Sequence, residues 1–384
     1  MTVSLSTEVL NEAPPTVTAS RRFYQPELDG LRFYAFLGVF VCHTLPFEAS
    51  FYRSLHLPFP WVWGATVKAG AAGVDLFFAL SAYLITSLLL REREETGDIS
   101  LKLFYTRRVL RIWPLYFAVI GLAIVLSHTM TNQHLPWYYV AGYLFFVGNW
   151  VHAAFGRPES IAFPLWTVSI EEQFYLLWPL LVKTLGHRAL IASTILMFLL
   201  ATACRIGFVL AGVSGGYIYY GSTARCDSIA LGILLALFAD RLPSLTSRAR
   251  LLLISAGLVG WIVSSAWLTD QPGPISMREV PGRLIISIAA GAILYGSLHS
   301  RTSLLTSGWI VRLGKVSYGL YLLHLTGLLL AKSALHPTSG AALLATKAVG
   351  FVLTILLAFA SYRWIESPFL RIKDRFSRVL SRPV

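Results

Sequence analysis

Arg32 and His43 are the two basic side chains of the apolar run at residues 31–45, and they stand eleven positions apart. In a helix that is about three turns and roughly 16 Å of rise. Eleven steps of about 100° return nearly to the starting direction, so both side chains share one face. An imidazole, with an ordinary pKa near 6.5, is well suited to take a hydroxyl proton at neutral pH, which makes His43 a candidate general base. Ionisable groups inside apolar spans usually face a bundle interior or a wet cavity. The alternative is that Arg32 snorkels to headgroups while His43 caps the far end of the helix.

Further groups recur along the chain, with Asp75 expected at the level of His43 and Arg108 and Arg111 on the cytoplasmic side. Asp75 and Ser81 lie in the run Gly73-Val74-Asp75-Leu76-Phe77-Phe78-Ala79-Leu80-Ser81-Ala82. Asp75 is placed to orient or charge-balance a partner at the level of His43, or is a first-turn carboxylate favoured by the helix dipole. Arg108 and Arg111 are three apart and share a helical face. Such a guanidinium fork suits the phosphates of a ligand such as coenzyme A, or sets topology and binds anionic lipid. Glu171 and Glu172 are adjacent in an apolar segment, so their side chains diverge by about 100° and at most one faces a given partner. Two buried carboxylates without partner or role are not expected. Arg225 and Asp227 open another span and are read as possible partners of each other, and His324 as a catalyst or an interhelical hydrogen-bonding residue. Neither a His-Glu-x-x-His pattern nor a phosphate-binding Gly-rich loop is present, so zinc-protease and NTPase readings lack positive support.

These residues need a membrane bundle to hold them. The 384-residue chain is 55% hydrophobic and only 13% charged, about half the charge of a soluble domain, which marks an all-α integral membrane protein. Spans are expected at 31–45, 69–90, 113–127, 165–185, 189–210, 222–239, 250–267, 284–298, 316–335 and 342–364. The fourteen residues Trp137–Trp150 are too short to cross and read as re-entrant or interfacial. With ten crossings and both termini cytoplasmic, twenty-one of the 32 Lys and Arg fall on the inside, five outside and six within spans. An eleventh crossing would export the basic loop at Arg241, Arg248 and Arg250. The net charge of +13 is therefore topology, and no nucleic-acid partner is expected. Residues 1–22 read as a disordered tail and 371–384 as a basic cytoplasmic tail around one membrane module at 23–370. Cys42, Cys204 and Cys226 suggest neither a disulfide framework nor a metal site.

Taken in order, these stretches resemble the membrane-bound acyltransferase 3 family of bacterial O-acyltransferases acting on surface glycans and macrolides. The matching elements cover residues 24–370: Leu-Asp-Gly-Leu-Arg with its downstream His43, Val-Asp-Leu-Phe-Phe-x-Leu-Ser, and Arg-x-x-Arg at 108 and 111. They continue with Trp-x-x-Ser-x-Glu-Glu-Gln-Phe-Tyr at 166–175, Arg-x-Asp at 225–227, Ser-Tyr-Gly-x-Tyr-x-x-His at 317–324 and Glu366-Ser367-Pro368. Ala82 stands where the family usually has glycine. The resemblance implies an acyl-CoA donor, acetyl-CoA first of all, and no permanently bound cofactor. It also implies a hydroxyl acceptor on a carbohydrate or macrolide and an inner-membrane location. It points to Glu171 over Glu172. Many members carry an additional soluble esterase-like domain, and none is expected here. The competing class is a transporter or proton pathway, for which intramembrane charges are equally natural; the paired broken helices typical of such proteins are not evident.

Overall fold

The computed structural model describes residues 24–130, 132–268, 276–337, 340–377 and 379. The tail expected at 1–22 lies outside the described residues, as does the end of the basic tail, 380–384. All regular structure among the described residues is helical.

Ten long helices coincide with the ten expected apolar segments: α1 (Pro26–Thr44), α2 (Gly73–Thr96), α3 (Leu101–Thr129), α4 (Leu165–Thr184) and α5 (His187–Leu210), then α6 (Ser222–Leu237), α7 (Ser247–Trp267), α8 (Glu279–Ser297), α9 (Ser317–Leu335) and α10 (Gly340–Ser361). A short α11 (Ser367–Asp374) follows the π-helical turn Tyr362–Glu366. Local sequence explains the ends. Pro26 starts α1 with Glu27 and Asp29 in its first turn, where the helix dipole favours them. Gly97, at φ +75°, closes α2 in the left-handed conformation that glycine adopts freely. The Ser100 hydroxyl caps α3 by accepting from Leu103 N–H at 3.4 Å.

By length and composition seven helical runs can cross a membrane: 60–96 and 342–374 as continuous stretches, and α3, α5, α7, α8 and α9. The other three long helices are α1, α4 and α6. Helix α6 has sixteen residues, while α1 carries Glu27, Asp29 and Arg32 and α4 carries Glu171 and Glu172. The polar stretches of these helices face into the bundle, where Leu28, Asp29, Phe36, Trp166, Ser169, Arg225 and Asp227 are all buried, while the later turns of α4 expose Leu176, Leu177 and Leu180. The apolar helices wrap them and turn Leu196, Leu199, Leu251, Leu252 and Leu356 outward. Leucine is at home against lipid, whereas an ionisable group there must be covered or paired.

Helix α6 packs between α2 and α5, and α9 runs against α10. Gly232 lets α6 reach α2, because a Cβ there would collide with the Ala79 carbonyl. Ala82 is buried within the core without disturbing the neighbouring Ser81.

The segment expected at Trp137–Trp150 is two eight-residue helices, Trp137–Leu144 and Gly148–Phe155, broken where Phe146 takes φ +53°. Each rises about 12 Å, far less than the roughly 30 Å of a hydrocarbon core. The chain ends flanking this pair of helices meet, His134 N–H donating to the Glu159 carbonyl at 2.7 Å.

Candidate active site

Helices α1, α2, α3, α4 and α9 enclose a cavity of about 150 Å³. Arg32, Ser81, Arg108, Arg111, Glu171, Tyr175 and Tyr321 all line it. Arg32 is held by Asp29 at 3.1 Å. The Ser81 hydroxyl donates to Glu171 Oε1 at 2.6 Å. Among the described residues, neither Arg108 nor Arg111 has a carboxylate partner. The Arg108 guanidinium lies 5.5 Å from the Phe104 ring centroid and 5.7 Å from that of Tyr175, and its buried Nε has no acceptor. A half-buried guanidinium with a buried nitrogen short of an acceptor is costly until an anion arrives. The cavity therefore has the chemistry of an anion site, and the charge-assisted bonds of a phosphate fit it.

Glu172 turns away. Its Oε2 accepts from Trp113 Nε1 at 3.2 Å, its Oε1 is buried without a partner, and it does not line the cavity. Of the adjacent pair, Glu171 is the one that faces the three arginines.

His43 lies beyond this cavity. Its Nδ1 is 2.8 Å from His324 Nε2, and the two rings are nearly coplanar with centroids 5.1 Å apart. His324 Nδ1 is 2.6 Å from the Tyr321 carbonyl. A carbonyl only accepts, so His324 Nδ1 carries its hydrogen and, in a neutral ring, Nε2 offers a lone pair. His43 then donates through Nδ1–H, and its Nε2 is left as the acceptor nitrogen. Tyr321 separates the histidines from the cavity: its ring lies 5.5 Å from that of Phe77, and its hydroxyl accepts from Thr167 Oγ1 at 3.1 Å. On the far side, the Phe163 ring is 5.8 Å from that of His43, and the exposed Arg157 stacks 4.2 Å above Phe163.

Three other candidates are tied into the scaffold. Arg225 does not pair with Asp227. It reaches Asp75 at 3.0 Å, where the Ser228 hydroxyl also donates at 2.9 Å, while Asp227 pairs with Arg205 at 2.7 Å. Residues two apart on a helix point about 200° apart, so Arg225 faces α2 and Asp227 faces α5. Arg205, fully buried, was missed although a lone arginine in an apolar run is the same signal that singled out Arg225. Arg157 and Phe163 carry no such mark in sequence, and Tyr321 is marked only as a position of the run at 317–324. A Gly-x-Ser-x-Gly pattern does occur at Gly212–Gly216. There the Ser214 hydroxyl accepts from Gly216 N–H at the start of the short helix Gly215–Tyr220, and no strand precedes it as a nucleophile elbow requires.

A family model described as an acyltransferase domain matches residues 25–363, nearly the whole chain. A Staphylococcus aureus protein provisionally named an O-acetyltransferase is 29% identical over 387 residues, covering 90% of this chain and 57% of the relative. The Listeria monocytogenes peptidoglycan O-acetyltransferase OatA is 28% identical over 380 residues, 91% of this chain and 56% of its own length. A Bacillus subtilis protein provisionally named a peptidoglycan O-acetyltransferase is 29% identical over 394 residues, 94% and 57%. The chain thus spans little more than half the length of these relatives. No solved structure matches it.

Proposed function

The chain belongs to this acyltransferase family, and we propose that it transfers an acyl group, acetyl first of all, from acyl-CoA to a hydroxyl of a cell-envelope carbohydrate. The observation that carries the mechanism is the chain Tyr321 carbonyl, His324, His43, which leaves His43 Nε2 as the free acceptor. In this reading Arg108 and Arg111 hold donor phosphates, and Arg32, Ser81 and Glu171 line the path of the pantetheine arm. The Tyr321 side chain, held at its hydroxyl by Thr167, swings aside to admit the acyl end to His43. The acceptor arrives past Phe163 and Arg157. His43 Nε2 takes the hydroxyl proton as the oxygen attacks the thioester carbonyl, the C–S bond breaks, and His43 returns the proton to the leaving thiolate. Acyl ester and free coenzyme A result.

The same reading has ten crossings of the bacterial inner membrane, both termini cytoplasmic, and 137–155 folded back on the outer side. The charge distribution and the meeting of His134 with Glu159 support it. A carbohydrate acceptor is favoured over a macrolide by the peptidoglycan named for two of the relatives. The test is to incubate the purified protein with labelled acetyl-CoA and cell-wall glycan fragments. Label in an ester on the glycan supports the proposal. Donor binding or ion flux without acyl turnover points to the transporter class instead.

A further inference from the structure

The basic residues beyond the last span read, in sequence, as topology alone. The fold brings one of them back to the site. Helix α11 packs against α3 and buries Lys373, whose side chain is 7% exposed. Lys373 lines a small cavity together with Glu92, Arg107, Arg108 and Arg111. This cavity shares Ile85, Leu88, Arg108 and Arg111 with the larger one, so the two arginines form a common wall. Its one acidic lining residue, Glu92, and the neighbouring Asp374 are already engaged. Glu92 takes Arg107 at 2.9 Å and the Ser100 N–H at 3.0 Å. Asp374, 41% exposed, meets Lys373 at 2.6 Å. Four cations and one carboxylate line the cavity, and among the described residues neither Arg108 nor Arg111 has an ion-pair partner. Charge of one sign gathered in a recess is a site for a multiply charged anion.

We propose that Lys373, carried by the C-terminal helix, completes a phosphate pocket with Arg108 and Arg111 and holds a phosphate at the nucleotide end of the donor. The inference deepens the donor reading above and rests on it. An acyl-CoA is long, with all its phosphates at the end opposite the thioester. The larger cavity leads from the shared arginines toward Tyr321 and the histidines. The smaller one adds Glu92, Phe104 and Lys373 to those arginines, away from Tyr321, where the phosphates would remain once the arm is inserted. Lipid phosphate has the same chemistry, so the test must separate the two sources.

The experiment uses the full chain in nanodiscs of neutral phosphatidylcholine. Affinities are measured for coenzyme A, for adenosine 3′,5′-diphosphate, which has the phosphates without the arm, and for pantetheine, which has the arm without phosphates. Lys373→Gln should weaken coenzyme A and adenosine 3′,5′-diphosphate about tenfold, the low end for losing one charged hydrogen-bonding partner, and leave pantetheine unchanged. Lys373→Arg should restore most of the loss. If Lys373→Gln binds coenzyme A within twofold of wild type, the pocket proposal falls and the donor reading stands. A loss confined to phosphatidylglycerol retained in anionic nanodiscs would make this a lipid-headgroup site and also overturn it. Wild-type protein that binds no coenzyme A removes the donor reading itself and this inference with it.

Discussion

His43 and His324 meet nitrogen to nitrogen at 2.8 Å, their rings 3° from coplanar, and the Tyr321 carbonyl decides which nitrogen carries which hydrogen. The arrangement resembles the carboxylate-held histidine of hydrolytic triads in logic, with a neutral ring as the orienting group. It holds His43 in one tautomer without placing a second charge beside it.

If His43 is the base, His43→Ala should lose at least about a hundredfold in turnover, the low end of general-base catalysis. Acyl-CoA binding should be retained, because His43 does not line the cavity walled by Arg32, Arg108 and Arg111. His43→Gln should be as poor, since an amide cannot take the proton. A monodisperse His43→Ala protein that keeps more than about a tenth of wild-type turnover would remove His43 from the mechanism.

His324 should behave as a positioning residue. In His324→Gln an amide oxygen can take the place of Nε2 and accept from His43, whereas His324→Leu offers nothing. Turnover should fall in both, with Gln retaining several-fold more than Leu, and the acid limb of the rate–pH profile should move in the Leu variant. Equal loss in the two with an unmoved profile would reduce His324 to packing.

Glu171 and Glu172 should separate. Glu171 lines the cavity and accepts from Ser81, while Glu172 meets Trp113 outside it. Glu171→Gln is expected to cut turnover about tenfold, the size of one charge-assisted bond, and Ser81→Ala to follow it in direction. Glu172→Gln should have the smaller effect, and the reverse order in steady-state rates would mean that the wrong carboxylate has been placed in the path.

Asp75 and Arg225 should act on stability. Removing one partner of a buried pair costs about 3–5 kcal/mol, while replacing both with apolar groups is often neutral. Asp75→Leu alone should therefore lower the thermal unfolding midpoint in detergent sharply. Asp75→Leu combined with Arg225→Met should recover most of it with turnover intact. A stable but inactive double variant would instead assign the pair to the chemistry.

The folded-back segment makes a topological expectation. In a background without Cys42, Cys204 and Cys226, the single variants His134→Cys and Glu159→Cys should both react with a membrane-impermeant maleimide added outside whole cells. Labelling of one and protection of the other would make 137–155 a crossing.

Much of the architecture was legible in the chain. All ten apolar segments appear as helices with ends within a few residues of those expected at α4, α5, α6 and α9. The largest shifts are at the start of α3 and the end of α2, where polar and amphipathic turns extend the helix beyond its apolar stretch: Leu101–Ile112 before the expected start of α3, and Arg91–Thr96 after the expected end of α2. Hydropathy marks what lipid must touch, and a helix continues past that limit while its backbone bonds are satisfied. The break at Phe146 was not legible, because nothing in Trp137–Trp150 forbids a continuous helix. It comes from tertiary ties, Gln173 donating to the Phe146 carbonyl at 2.8 Å and Tyr116 to that of Tyr143 at 2.8 Å.

Residue type and spacing determined that Arg32 and His43 share a face, that Arg108 and Arg111 form a fork, and that two adjacent carboxylates diverge. These follow from helical periodicity, which is a local property. The partners were decided by tertiary structure alone. His43 finds His324 from 281 residues away, Arg225 finds Asp75 from 150, and Lys373 returns from beyond the last span to Arg108 and Arg111. Which side chain a buried charge meets depends on how each helix is rotated and how closely small residues such as Gly232 let it approach. A single helix's sequence carries neither quantity.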